Sequence, residues 1–164
     1  MGARNKQEAA DKFSTLFKES LSCITDAHLQ PLQKSTNLYV LSYEPAVALR
    51  CNKGERSLSV THVFTPVPDR VKGGFKASTR KYIYGLNDEA GREMVEYHWH
   101  PEQTDVHYPH LHVHHDPIRR VHFATARVSV EMFIRMLIDY YGIEPIIAES
   151  KWRAIFEKEQ QSLR

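Results

Sequence analysis

Eight of the ten histidines in this 164-residue chain fall between His98 and His122, and five of them alternate with other residues. The two runs are Tyr97-His98-Trp99-His100 and His110-Leu111-His112-Val113-His114. This alternation has the two-residue period of a β-strand, whose successive side chains point to opposite faces. His98 and His100 would share one face of a strand, and His110, His112 and His114 one face of another. Tyr97, Trp99, Leu111 and Val113 would face the other way. The pattern therefore asks for a sheet with one imidazole surface and one apolar core surface.

The remainder of the chain supplies what such a sheet needs. Phe13, Leu16, Phe17, Leu21 and Ile24 follow the i, i+3, i+4 spacing of a buried helical stripe, which predicts a helix over 7–27. The pattern changes to strands over 38–126. Pro45 marks a break or bulge, Asn52-Lys53-Gly54-Glu55 reads as a hairpin turn, and 66–74, with two prolines and two adjacent glycines, reads as a loop. Lys76–Leu86 and Glu93–His100 would form a hairpin around the turn 87–91; His110–His115 and Val121–Ala126 follow as short strands. Ser129 is placed to cap a helix carrying Val130, Phe133, Ile134, Leu137 and Ile138 on one stripe, with Gly142 ending it. A last helix follows Pro145, within 129–164. The expected fold is a single α+β domain over 1–164: a curved antiparallel sheet with an N-terminal helix and two C-terminal helices on its apolar face.

Several classes are disfavoured. No apolar run approaches the roughly 18–20 residues that cross a bilayer, and polar residues follow the N-terminus where a signal core would stand. Cys23 and Cys51 form no CxxC pair, which suits reduced thiols in a cytoplasmic protein. The net charge of +2 is too small to demand a nucleic-acid partner. Its distribution is more suggestive, because Arg70, Lys72, Lys76, Arg80 and Lys81 form one basic stretch and Arg119, Arg120 and Arg127 another beside the histidines.

Imidazole changes charge near neutral pH and is the commonest metal ligand. Two chemistries fit a cluster of His98, His100, His110, His112 and His114, with His122 at its periphery. Without metal, one neutral histidine removes a proton from a nucleophile and a protonated one donates to the leaving group. On RNA these would be the 2′-hydroxyl and the 5′-oxygen. With metal, three ligands such as His100, His110 and His112 hold zinc or manganese and leave a position for water. Asp105 or Asp116 could assist as a carboxylate. Arg119, Arg127 or Lys81 could stabilise phosphate charge, and Tyr82, Tyr84 or Trp99 could stack on a base. His62, far from the cluster in sequence, reads as a surface or core residue.

The segment from the Pro66 loop to the helix at 130–141 resembles the TumE-like family of small bacterial toxin-antitoxin proteins. The resemblance lies in the order of Tyr82-Ile83-Tyr84, Val95-Glu96-Tyr97-His98, His110-Leu111-His112 and Ser129-Val130-Glu131 running into Leu137-Ile138-Asp139. It implies a toxin acting on RNA, with a cognate antitoxin as partner. Two shorter likenesses compete. His110-Leu111-His112-Val113-His114 resembles the histidine triad of nucleotide hydrolases. Pro109-His110-Leu111-His112-Val113 resembles the metal-binding strand of HUH-type nickases, with Tyr140 or Tyr141 as nucleophile. The expectation is a phosphodiester hydrolase, an RNase above all, able to form a homodimer. The alternative from another class is a non-enzymatic module binding metal or a partner.

Overall fold

The computed structural model describes residues 2–29, 31–35, 37–102, 106–113 and 121–162. The chain runs α1 (Lys6–Leu21), β1 (Pro31–Ser35), β2 (Leu38–Leu49), β3 (Arg56–Pro68), β4 (Phe75–Asn87), β5 (Glu93–Trp99), β6 (His110–Val113), β7 (His122–Ala124), α2 (Val130–Tyr141) and α3 (Glu149–Ser162). The seven strands form one sheet in sequence order, and every neighbouring pair is antiparallel. The α+β architecture with one helix before the curved sheet and two after it is the one the sequence predicts. Within the described residues, no helix is long and apolar enough to cross a membrane.

Strand alternation separates two faces. Leu58, Val60 and Phe64 of β3, Tyr82, Tyr84 and Leu86 of β4, and Val95 and Trp99 of β5 are buried on the helix side. Phe17 and Leu21 of α1, Phe133, Ile134 and Leu137 of α2, and Trp152 and Phe156 of α3 belong to the same cluster. Phe133 lies 5.7 Å from the Tyr84 ring and 6.0 Å from Tyr97, which fixes α2 against β4 and β5. The α2 boundaries follow local chemistry. Ser129 Oγ accepts from Met132 N at 3.3 Å, and Gly142 adopts φ +76°, the left-handed conformation that ends a helix cheaply only with glycine.

Several elements differ from expectation. α1 ends at Leu21, not 27, because Cys23, Ile24 and Thr25 donate to Ser20 and Leu21 carbonyls in a tightened turn that still buries Ile24. β1 is an edge strand that the sequence pattern does not reveal. β3 extends through Pro66 to Pro68, so the loop shrinks to 69–74, held by Asp69 Oδ1 accepting from Val71 N and Lys72 N. β7 spans three residues where six were expected. The bulge expected near Pro45 is present as a register shift between Tyr43 and Val47.

Candidate functional site

The histidine face is assembled by register. β5 pairs with β6 so that Glu96 stands opposite His112 and His98 opposite His110; β6 pairs with β7 so that His112 stands opposite His122. Directly opposed residues share a face in an antiparallel pair. One row therefore runs Gly85, Glu96, His112, His122, and the next runs Ile83, His98, His110. Both lie on the side away from the helices.

The rings are close. His112 stacks on His98 at 4.4 Å between centroids and on His122 at 4.5 Å, with interplanar angles of 23° and 11°. His110 lies 5.0 Å from His112 and 4.8 Å from His122. One ligand atom from each of His98, His110 and His112 lies within 4.8 Å of the other two. Ligands on one tetrahedral zinc stand about 3.4 Å apart, given bonds of about 2.0–2.1 Å. Displacements of about 1 Å per ring would bring the three atoms to that spacing.

Hydrogen bonds orient the ligands. His110 is buried, and its Nδ1 lies 3.0 Å from the Tyr108 carbonyl. A carbonyl only accepts, so Nδ1 carries the proton and Nε2 keeps its lone pair. A backbone carbonyl fixing the tautomer in this way is the usual second partner of a metal-binding histidine. The Glu96 carboxylate lies against His98 Nε2, close enough to pair but off the line of a hydrogen bond. Residue 85, opposite Glu96 on the neighbouring strand, is glycine. A Cβ at 85 would stand 2.4 Å from Ser59 Oγ and 3.4 Å from Glu96 Oε1.

The electrostatics favour the neutral form of His100, His110 and His112. Burial, then the neighbouring His98, His122 and His110, push His112 down to about 4. Burial, and then chiefly His98, lower His100, and burial lowers His110. A neutral imidazole is the form that binds metal. Lys81 stands on the same face and is close enough to His100 to oppose its protonation.

The structure changes several sequence-based assignments. His98, where His100 was expected, falls in the group with His110 and His112 whose ligand atoms lie together. β5 ends at Trp99 and the β5–β6 ladder ends at the His98–His110 pair, so His100 lies past the last rung. It remains adjacent, with Nε2 3.3 Å from His98 Nδ1. Tyr82 and Tyr84 are 2% and 0% exposed on the opposite face, so they cannot stack on a base beside the histidines. Arg127 also leaves the site; its guanidinium lies 3.6 Å above the Trp99 ring, on the helix side. Tyr140 and Tyr141 end α2, in that same helical layer. His114 and Arg119 lie outside the described residues, as do Asp105, Asp116 and Arg120. Glu96 is the site residue that sequence reasoning passed over. Its place two residues before His98 on the alternating strand was the available signal.

No protein-family model, no curated protein and no solved structure matches this chain.

Proposed function

We propose that this chain is a metal-dependent hydrolase of phosphodiester bonds, with RNA as its substrate. The observation that carries the reading is the convergence of His98, His110 and His112 to within 4.8 Å on the sheet face opposite Tyr82 and Tyr84. A divalent transition metal there, zinc or manganese by the preference for imidazole, would supply a water acidified to near neutrality and a Lewis acid for a phosphoryl oxygen.

The chain's own residues divide the remaining work. Tyr108 carbonyl and Glu96 hold the rings of His110 and His98 in orientation. His100, held neutral beside the trio, would accept the water's proton, and exposed His122 would pass one to the departing oxygen. Lys81 is the cation on this face that would meet the phosphate. Water oxygen bonds to phosphorus, the ester P–O bond breaks, and the water's proton ends on the leaving alcohol. RNA is favoured over other phosphodiesters by the partial resemblance of residues 66–141 to TumE-like toxins, which also suggests an antitoxin partner.

The test uses tag-free protein with zinc or manganese, incubated with RNA, single-stranded DNA and dinucleotides. The reading expects RNA cleavage that chelator stops and that His112→Ala abolishes. Cleavage unchanged in His112→Ala would place the chemistry elsewhere. Stoichiometric metal binding with no cleavage of any of the three would leave a metal-binding module and overturn the hydrolase.

A further inference from the structure

The other face of the sheet holds a cavity of about 410 Å³ between α1, the start of α2 and strands β3 and β4. Protein interiors contain few voids larger than a water molecule, whereas ligand pockets run from about 300 to 1,000 Å³. The walls are aromatic and aliphatic: Phe13, Leu16 and Phe17 from α1, Tyr82 and Tyr84 from β4, and Met132 from α2. Met132 is 57% exposed, so the cavity opens to solvent beside it.

Polar groups are few and placed at distinct points. His62 lines the cavity, buried between Tyr84 OH at Nδ1 and Thr79 Oγ1, 3.1 Å away at Nε2. Burial pushes His62 down to about 3, so this floor is neutral at physiological pH. Glu131 also lines the cavity, and Ser20 Oγ of α1 donates to its Oε1 at 3.1 Å. Arg127 is the exposed cation of the lining. Its guanidinium face is on Trp99, and no carboxylate among the described residues pairs with it. A stacked guanidinium keeps its edge N–H donors free for a planar anion.

The rings at the back of the cavity stand nearly parallel. Tyr82 and Tyr84 are 4.9 Å apart at 12°. They stack on each other and are 2% and 0% exposed, so they close the back of the cavity, and the accessible ring of the lining is that of half-buried Phe13, on which an aromatic molecule can pack in offset or tilted geometry. From these placements we infer that the cavity is a binding site for a small planar aromatic carboxylate, its ring between Phe13 of α1 and Met132 of α2 and its carboxylate on Arg127. The site lies across the sheet from the histidines and stands or falls independently of the hydrolase reading. Three residues that the sequence suggested for substrate, Tyr82, Tyr84 and Arg127, converge on this cavity instead.

The experiment is a titration of the full-length, isotope-labelled chain with 2-naphthoate, followed by amide NMR. Neutral 2-naphthalenemethanol and cationic 2-naphthylmethylamine serve as isosteres. The expected result is saturable shifts at Phe13, Tyr82 and Val128, with a dissociation constant on the order of 1 mM or tighter. Arg127→Gln should weaken naphthoate about tenfold and the alcohol less than about twofold, the signature of one charge-assisted hydrogen bond. Met132→Trp, a change at an exposed position, should block the entrance and weaken both. Absence of saturable shifts at the cavity residues would overturn the site, as would binding unaffected by Met132→Trp. Preference for the amine or alcohol over the acid would overturn the assigned ligand class.

Discussion

His62 makes the stability of this fold depend on pH in a way that can be worked out from its surroundings. The ring is buried among Phe13 at 5.1 Å and Phe17 at 5.0 Å, and both nitrogens are engaged by Tyr84 and Thr79. Its native-state pKa is pushed from 6.5 to about 3 by desolvation. The unfolded chain therefore takes up a proton below pH 6.5 that the native chain refuses until about pH 3, and stability must fall as pH falls through that window. The native state has its full stability from this group above 6.5. At pH 5 the loss is about 2 kcal/mol, from 1.5 pH units at about 1.36 kcal/mol each. That figure is set by the unfolded value alone, provided the native pKa lies below about 4. The assay is urea unfolding of wild type and His62→Gln at pH 8, 7, 6 and 5. The variant should be less stable at pH 8, by about 1–3 kcal/mol if it leaves Tyr84 and Thr79 poorly paired. That deficit should shrink by about 2 kcal/mol at pH 5, because only wild type suffers the protonation penalty. Other histidines titrate in both proteins and cancel in the difference. Parallel stability curves across this range would refute the burial argument.

Two further predictions test the local construction. Glu96→Ala removes the carboxylate that lies against His98; zinc affinity by competition with a chromophoric chelator should fall about 10–100-fold, and unchanged affinity would remove Glu96 from the site. Ser129→Ala removes the acceptor that caps Met132 N, so urea unfolding should show a loss of about 1 kcal/mol, and no change would mean that the cap is replaced by water.

The sheet and its two faces were legible because alternation over Tyr97–His100 and His110–Val113 leaves no other strand geometry. What the pattern could not supply was the register. His98 and His100 share a face in any strand, but only the pairing of His98 with His110 decides which of them meets the trio. Tyr82 and Tyr84 likewise share a face by alternation. They fall opposite the histidines because Ile83, between them, is the residue registered with His98. Arg127 is near His122 in sequence, yet the turn into α2 carries it around to Trp99. Local amphipathicity also misjudged length at α1. Cys23 and Ile24 continue the buried stripe beyond the last helical residue, because the turn after the helix packs on the same core. β1 carries no hydrophobic alternation, as expected of an edge strand held by backbone pairing to β2.

The proposed chemistry requires that imidazoles from β5 and β6 hold a metal ion. Isothermal titration of tag-free, metal-stripped protein with zinc measures it directly. The account predicts one ion per chain at about 1 μM or tighter, weakened at least about 100-fold by His112→Ala and unchanged by His107→Ala, whose exposed ring instead donates to the Pro101 carbonyl at 2.8 Å. Zinc binding that is absent, or equally strong in the His112→Ala protein, would contradict it.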